Sequence, residues 1–290
     1  LAEAKQLSDE PLVTFGLAEI DFELGHFNQA IKEYASLDNR LIYEQTGVST
    51  YQRIGVSYAS LGKFEVAIEF LEKALEIEYD EAVALELATI LYEQKEYKKA
   101  NLYFKQIDTI SPEFEGYEYG YALSLHAEHQ TEEALRLTQQ GLSKNPFDTR
   151  LLLLASQLSY ELHDERKAED YLLKAKDNAE DLEEIALRLS NLYLEQERFD
   201  EVLKFEEQDI DNVLTKWNIA RAYQALEQTT AALERYRLLL SDLKENPEFL
   251  EQYIYLLREM GDFEEAKHQA EHYLHLVPDD VEMQELYDSL

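Results

Sequence analysis

Apolar residues recur at intervals of three and four along most of the chain. Tyr51, Ile54, Gly55 and Tyr58 form one such stripe, and a second runs through residues 66–75. These spacings place each set on one face of a helix. Because strictly alternating runs of β-branched residues are absent, the sequence predicts pairs of helices and almost no strand.

A pattern of about 34 residues repeats along the chain. The phrase LGKFEVAIEFLEKALEIEYD, at residues 61–80, returns as MGDFEEAKHQAEHYLHLVPD at residues 260–279. A small residue marks the same point of each copy: Ala30, Ala67, Ala100, Ala134, Ala168, Val202, Ala232 and Ala266. The intervals between them are 37, 33, 34, 34, 34, 30 and 34 residues. This length fits a unit of two helices joined by a turn.

The turn between the two helices has its own marker, five positions before the small residue. It is glycine in three copies, Gly25, Gly62 and Gly261, and Lys95, His129, His163, Glu197 or Glu227 in the others. We interpret the glycine as required because any larger residue at this position would place a side chain against the neighbouring helix. The small residue, in turn, lets the first helix lie against the second.

The stretch YQRIGVSYASLGKFEVAIEFLEKALEIE, at residues 51–78, resembles the tetratricopeptide repeat (TPR) family across nearly its whole pattern. The resemblance extends over the chain as about eight repeats. In repeats five to seven it rests on spacing, because the turn glycine and the aromatic residue are mostly replaced.

The resemblance implies an all-α fold, a right-handed α-solenoid of helix-turn-helix repeats, over residues 11–278. Residues 1–10 are predicted to be the tail of a preceding repeat helix, so that more repeats would come before Leu1, and residues 279–290 a C-terminal capping helix. The first helix of each repeat, here called the A helix, is predicted at 11–24, 48–61, 81–94, 115–128, 149–162, 183–196, 213–226 and 247–260. The second is called the B helix.

Two intervals break the period. The interval of 37 predicts an insertion near NRLIYEQTGVS, at residues 39–49. The interval of 30 removes about one helical turn from the B helix of repeat six, near FEEQDIDN at residues 205–212. We expect a local change of solenoid twist near residues 206–213.

The charge limits the classes of partner. The chain has 61 acidic and 27 basic side chains, a net charge of −34, and 45% hydrophobic residues. Such a chain can form a core, but it would be repelled by nucleic acid and by anionic membrane surfaces. No apolar run reaches the 18 residues of a membrane span, and there is no cysteine. We therefore predict a cytoplasmic protein with no nucleic-acid and no membrane partner.

A search for catalytic and metal-binding motifs favours no enzyme. Glycine-rich phosphate loops, a cysteine nucleophile and a G-x-S-x-G elbow do not occur. The best metal candidate is HQAEHYLH, in which His268, His272 and His275 with Glu264 share a helix. Because the resemblance places that B helix on the outer side of the solenoid, we predict no metal site, no cofactor and no catalytic residues.

The resemblance implies that A helices line a concave groove that binds a protein or peptide. Arginine, tyrosine and tryptophan dominate binding hot spots, and arginine suits recognition of carboxylates and amides. The candidate groove residues are Arg53, Tyr92, Tyr119, Arg150, Tyr160, Arg188, Asn191, Trp217, Asn218, Arg221, Gln224, Tyr255 and Arg258. Alternatively, these side chains do not bind a partner but pair with acidic residues on the same face of the A helices. Those acidic residues are Glu23, Glu86, Glu93, Glu161, Glu195 and Glu259.

One specialised use of the family does not fit. The TPR clamp for the C-terminal carboxylate of heat-shock chaperones needs basic residues where this chain has Leu187, Glu248 and Gln252. Only Asn191 and Asn218 match.

The sequence predicts a non-enzymatic scaffold that binds a partner segment in the groove, as a monomer or weak homo-oligomer. The alternative is a structural or assembly subunit that acts through self-association, the solenoid ends or the convex face. A third alternative places an enzymatic or regulatory domain before Leu1.

Overall fold

The computed structural model describes residues 10–208 and 210–290. Within them lie eighteen α-helices, one 3-10 helix at Lys204–Glu207 and no strand, as the periodicity predicted. The helical tail predicted at residues 1–10 lies outside the described residues, apart from Glu10. The helices are α1 Pro11–Glu23, α2 Phe27–Ala35, α3 Asn39–Thr46, α4 Thr50–Ser60, α5 Phe64–Ile77, α6 Glu81–Glu93, α7 Tyr97–Ile110, α8 Tyr117–Ala127, α9 Thr131–Lys144, α10 Thr149–Glu161, α11 Glu165–Lys176, α12 Glu183–Glu195, α13 Phe199–Leu203, α14 Val213–Ala225, α15 Thr229–Leu243, α16 Pro247–Glu259, α17 Phe263–Leu276 and α18 Val281–Ser289.

The helices pack in pairs within two compact units, one ending at Leu162 and the other beginning at His163. In the first unit, α1 packs on α2, α4 on α5, α6 on α7 and α8 on α9. In the second unit, α12 packs on α13, α14 on α15 and α16 on α17. The A helices are α1, α4, α6, α8, α10, α12, α14 and α16. All eight predicted A helices are confirmed, with ends within two residues of those expected.

The small residues of the repeat are all fully buried. None of the eight B-helix positions from Ala30 to Ala266 is more than 1% exposed. At Gly55 of α4, an added Cβ would lie 2.7 Å from Leu71 Cγ and 3.2 Å from the Ala67 carbonyl oxygen. The two helices of this repeat therefore approach closely because neither Gly55 nor Ala67 carries bulk, as the pattern predicted.

The turn residues share one backbone conformation rather than one steric environment. Gly25, Gly62 and Gly261 have φ of 75°, 72° and 79°, and the five non-glycine turn residues have φ of 56° to 61°. An added Cβ at Gly62 would meet nothing within 4 Å, so the crowding interpretation was wrong. The left-handed conformation instead ends the A helix. The next amide bonds back across the turn, as from Lys63 N to Tyr58 O at 2.9 Å.

This conformation predicts that glycine is the more stable residue at two of the turns. A non-glycine residue in the left-handed region costs about 1–2 kcal/mol, whereas glycine adds about 0.5–1 kcal/mol of backbone entropy. Glu227→Gly is therefore expected to raise the free energy of unfolding by about 0.5 kcal/mol, and Gly62→Ala to lower it by about 1 kcal/mol. Urea denaturation measures both. Glu227→Ala is the control, because an equal gain there would assign the effect to the lost charge.

Both breaks of the period are visible as local structure. The insertion forms the separate helix α3, which is capped by Asp38 and buries Ile42 completely. In repeat six, α13 has 5 residues where α5, α7 and α9 each have 14. The predicted insertion and missing turn are confirmed, while the change of twist stays a prediction.

The chain closes with α18, which begins after its cap Asp280. It packs on α17 and buries Met283 and Leu286. Its role as the cap of a solenoid end stays a prediction. In the described part of the chain, no helix is both long and apolar enough to cross a bilayer.

Candidate functional site

The arginine of α4 is held by the preceding A helix. Arg53 Nε lies 2.9 Å from Glu19 Oε1, and its NH2 lies 3.0 Å from Oε2. The guanidinium also stands 4.9 Å from the ring centre of Phe22. Glu19 accepts a further hydrogen bond from the hydroxyl of Tyr34, whose pKa is raised by burial and by that carboxylate. Arg53 is therefore neutralised within the first unit.

Two more candidate arginines pair with local carboxylates. Arg150 NH2 lies 3.2 Å from Asp148 Oδ2, and Arg188 NH2 lies 2.5 Å from Glu184 Oε1. Burial alone would raise the pKa of Asp148, but hydrogen bonds from Arg150 and from the Leu151 amide outweigh it and lower that pKa. Pairing with acids is thus found for three of the candidate arginines. The carboxylates in these three ion pairs, Glu19, Asp148 and Glu184, were not among the glutamates named from the sequence, although Glu86 also attracts Arg53.

The candidate tyrosines of the first unit differ in exposure. Tyr92 is half-buried against Tyr97, with ring centres 5.7 Å apart, and burial raises its pKa. Tyr119 lies beneath the Arg150 guanidinium at 5.2 Å. Tyr160 is 44% exposed. These rings offer stacking area on three different A helices.

Arg221 and Arg258 of the second unit have a different environment. The Arg221 guanidinium stands 5.5 Å from the ring centre of Trp217, and that of Arg258 stands 5.3 Å from Tyr255. Among the described residues, no carboxylate lies within 4.0 Å of either side chain. Both arginines are therefore oriented by aromatic rings while their charge stays uncompensated at short range.

These side chains occupy matching points of two A helices. Arg221 and Tyr255 are 34 residues apart, and so are Gln224 and Arg258. One repeat separates each pair, so the four residues lie on the same side of α14 and α16. We call Arg221, Gln224, Tyr255 and Arg258 the arginine face.

Buried side chains beneath the arginine face hold it in position. Asn218, 3% exposed, donates to Ser190 Oγ at 2.8 Å and to Asn191 Oδ1 at 2.6 Å, which ties α14 to α12. Its own Oδ1 lies 3.5 Å from Arg221 NH1. Trp217, only 6% exposed, packs edge-on against Phe249 of α16, with ring centres 5.8 Å apart. Asn218 and Trp217 thus support the face more than they form its surface.

Sequence reasoning missed a supporting residue on a B helix. The fully buried Tyr236 hydroxyl lies 3.1 Å from Gln224 Oε1 and 2.9 Å from Gln252 Oε1, so it joins α14 to α16 through α15. Burial raises the pKa of Tyr236 to about 12, so it remains a hydrogen-bond donor at any physiological pH. A signal was available, because the equivalent point of α2 also carries a tyrosine, Tyr34, which donates to Glu19, whereas α5 and α7 carry apolar Leu71 and Phe104.

The histidines of the predicted metal candidate make ordinary contacts. His272 Nε2 lies 2.9 Å from the Lys244 carbonyl oxygen, and His275 Nδ1 lies 2.7 Å from that of Glu271. Among residues 10–208 and 210–290, no three His, Asp or Glu side chains are grouped so that they could hold a metal ion. The residues that this part of the chain brings together are suited to binding through stacking and hydrogen bonds.

Comparisons with known proteins agree with the repeat architecture. Residues 214–280 match the family of YpiA-like, C-terminal tetratricopeptide repeats. Residues 1–40 match YpiA-like tetratricopeptide repeats, and residues 48–81 match the tetratricopeptide repeat itself. The helix pairs and these matches define a helical-repeat protein of the kind that typically mediates protein binding and is generally non-catalytic. In these three stretches the chain is similar to the tetratricopeptide repeat proteins.

One relative and two solved structures illustrate this similarity. The chain is 24% identical over 271 residues to the TPR repeat-containing protein YpiA of Bacillus subtilis (strain 168), which covers 92% of this chain. It spans 64% of the length of that relative. YrrB, described as a TPR protein with an unusual peptide-binding site, aligns with a TM-score of 0.54 at 18% identity, over 66% of this chain and 97% of YrrB. MamA (41-end) from Desulfovibrio magneticus RS-1 aligns with a TM-score of 0.52 at 14% identity, over 59% of this chain and 95% of MamA. Identities this low support the fold alone.

Proposed function

We propose that the chain is a non-enzymatic scaffold that binds a segment of a partner protein, with the arginine face as the primary contact. The observation that carries this proposal is the state of Arg221 and Arg258. Each guanidinium is oriented by an aromatic ring and has no carboxylate at ion-pair distance among the described residues. The other three candidate arginines are paired.

The chemistry of the arginine face favours a peptide-like ligand. A guanidinium held against a ring loses little further freedom when it binds, and it presents several donors in a fixed plane. Carboxylates and backbone carbonyl oxygens accept from such a group, and Tyr255 adds a surface for stacking. The neighbouring amides of Asn191 and Gln224 can both donate and accept. A polypeptide segment supplies matching groups along its length.

The first-unit candidates are secondary contacts in this proposal. Arg53 would have to give up two hydrogen bonds to Glu19 before it could bind a partner. Tyr92, Tyr119 and Tyr160 can contribute by stacking, and Arg150 remains 70% exposed beside Asp148. YrrB, which shares this class of fold, is described as having a peptide-binding site, and a polypeptide ligand is proposed here by analogy with it.

The double variant Arg221→Glu/Arg258→Glu is expected to lose partner capture. Reversal of two charges that face the ligand should weaken binding by about 100-fold or more, because each charge-assisted contact contributes roughly 1.5–3 kcal/mol. The measurement is affinity capture from a cell extract by the immobilised chain, with mass spectrometry of the bound proteins. Circular dichroism should show unchanged helicity, since both side chains lie at the surface of their helices.

The matched control is Lys98→Glu/Arg166→Glu, which makes the same change of net charge on exposed B-helix positions. Capture by this control should equal that of the unmodified chain. If the two double variants lost the same proteins to the same degree, net charge would explain the result and the proposal would fail. Retained capture by the first variant would also refute it.

A further inference from the structure

The missing turn of repeat six leaves a space between helices of the second unit. Helix α13 ends at Leu203, and its neighbour α15 runs for 15 residues. After the 3-10 turn Lys204–Glu207, the chain leaves the path that a full B helix would follow. Each absent residue removes about 1.5 Å of helix. On the side of α14 and α15 that faces this segment, Leu238 is 77% exposed, while Ile219 and Leu239 are buried.

A cavity of about 210 Å³ occupies this place. Its apolar wall is made by Phe205, Ile210, Ile219, Leu238 and Leu239. The volume equals roughly seven waters, and it is smaller than the 300–1,000 Å³ of sites for drug-sized ligands. The cavity therefore has the size for one or two apolar side chains and not for a cofactor.

Leu238 at the rim has no apolar counterpart on the regular B helices. It is 77% exposed. The equivalent points, nine residues after the start of α5, α7, α9, α11 and α17, are all polar: Lys73, Gln106, Gln140, Lys174 and His272. Repeat seven, which follows the 5-residue helix α13, thus also carries an exposed leucine beside the gap. A large exposed apolar residue next to an apolar cavity is characteristic of a binding surface.

The charges around the cavity are already balanced. Lys216 Nζ lies 2.6 Å from Asp211 Oδ1, and Arg235 Nε lies 2.7 Å from Glu206 Oε1. In a chain of net charge −34, the cavity is lined by two cations, Lys216 and Arg235, and one carboxylate, Glu206, while Asp211 pairs with Lys216 from outside the lining. An apolar centre inside a satisfied polar rim has the anatomy of a protein–protein contact. It favours an apolar occupant with polar flanks over a strongly charged one.

We propose that this cavity docks an amphipathic helix of another protein, which takes the place of the missing turns of repeat six. One leucine, isoleucine, methionine or phenylalanine side chain of that helix fills the cavity, and the next turn covers Leu238. A helix is the proposed occupant because repeat six lacks the residues that form the later turns of the 14-residue B helices α5, α7 and α9. On α14, Lys216 and Ile219 point away from Trp217 and Arg221, so this site is separate from the arginine face.

A defined probe tests the proposal. The probe is a helix-stabilised peptide IEFLEKALEI, which copies residues 68–77 of α5 and so the part of a B helix that repeat six lacks. The full chain carries 13C-labelled Ile and Leu methyl groups, and the peptide is titrated to millimolar concentration. We expect saturable shifts at the methyl groups of Ile210, Ile219, Leu238 and Leu239. Shifts elsewhere, or none, would overturn the proposal.

Two matched variants give the test its control. Leu238→Lys introduces at the rim the lysine that α5 has at the equivalent point. It should weaken binding of the peptide about tenfold, because it removes apolar area that the peptide would bury. Leu102→Lys makes the same change at a leucine of α7 that is 67% exposed, and it should leave the affinity unchanged. Equal losses in both variants would contradict the site. If sedimentation showed self-association that Leu238→Lys abolishes, the occupant would be a second copy of this chain and the proposal would be wrong.

Discussion

Replacing Phe249 with alanine is expected to lower the free energy of unfolding of the second unit by about 3–5 kcal/mol. Phe249 is fully buried, and its ring centre lies 5.8 Å from that of Trp217, 5.3 Å from Tyr236 and 6.1 Å from Tyr253. The large-to-small change removes apolar burial and leaves a cavity at the centre of three rings. Urea denaturation followed by the fluorescence of Trp217, the single tryptophan of the chain, measures the loss.

The control is Phe147→Ala, at a phenylalanine that is 66% exposed in the first unit. It should change the Trp217 transition by less than about 0.5 kcal/mol, as expected for a surface position. The variant Phe249→Leu should lie between the two, because leucine fills part of the space. A loss below about 1 kcal/mol for Phe249→Ala would show that the ring cluster does not hold α14 to α16.

The fold was predictable because the same close contact between an A helix and a B helix recurs in every repeat. Each A helix must lie against its B helix, and the contact requires a small residue at one point. Ala30 and Ala266, at opposite ends of the chain, are both fully buried for this reason. A constraint that recurs about every 34 residues is visible in one sequence even where Glu197 or Glu227 replaces the turn glycine.

The partners of the arginines were harder to predict, although part of the signal was present. Glu19 and Arg53 are 34 residues apart, whereas the interval between their two repeats is 37, so Glu19 stands three residues, about one helical turn, beyond the point equivalent to Arg53. A search for opposite charges one repeat apart, with a tolerance of one helical turn, would have found this pair. Asp148 and Arg150 are two residues apart, and that contact depends on the cap of α10 and not on the repeat. The carboxylates named from the sequence were chosen only because they share a helix face with the arginines.

The two breaks of the period show a second limit of sequence reasoning. An interval of 37 or 30 residues locates an insertion or a deletion, but it does not say what the altered segment becomes. The insertion became α3 because Asp38 caps it and Ile42 is buried. The deletion produced an apolar cavity because Ile219 and Leu239, which face that side, remain apolar. Irregular positions carry information about this particular chain that the shared pattern does not.

The ion pair of Glu118 and Lys144 leads to the second large prediction. Lys144 Nζ lies 2.5 Å from Glu118 Oε1, and the side chain of Glu118 is 4% exposed. The ammonium also donates to the carbonyl oxygens of Pro112 at 2.5 Å and Phe114 at 3.1 Å. Lys144→Met keeps the apolar stem but leaves a buried carboxylate without its cation. We expect a loss of about 3 kcal/mol in the first unit, the lower end of the range for broken buried pairs, because Lys144 is partly exposed.

Native-state hydrogen exchange of amides in α8 and α9 measures this loss where it occurs. The double variant Glu118→Gln/Lys144→Met should recover more than half of it, because a neutral amide is less costly to bury than an unpaired carboxylate. Lys167→Met is the matched control, since its pair with Asp164 is exposed, and it should leave the same amides unchanged. If the single and double variants were equally unstable, the loss would come from the hydrogen bonds to Pro112 and Phe114. In that case Lys144 would act as a clamp on the segment before α8 and not as a counter-ion.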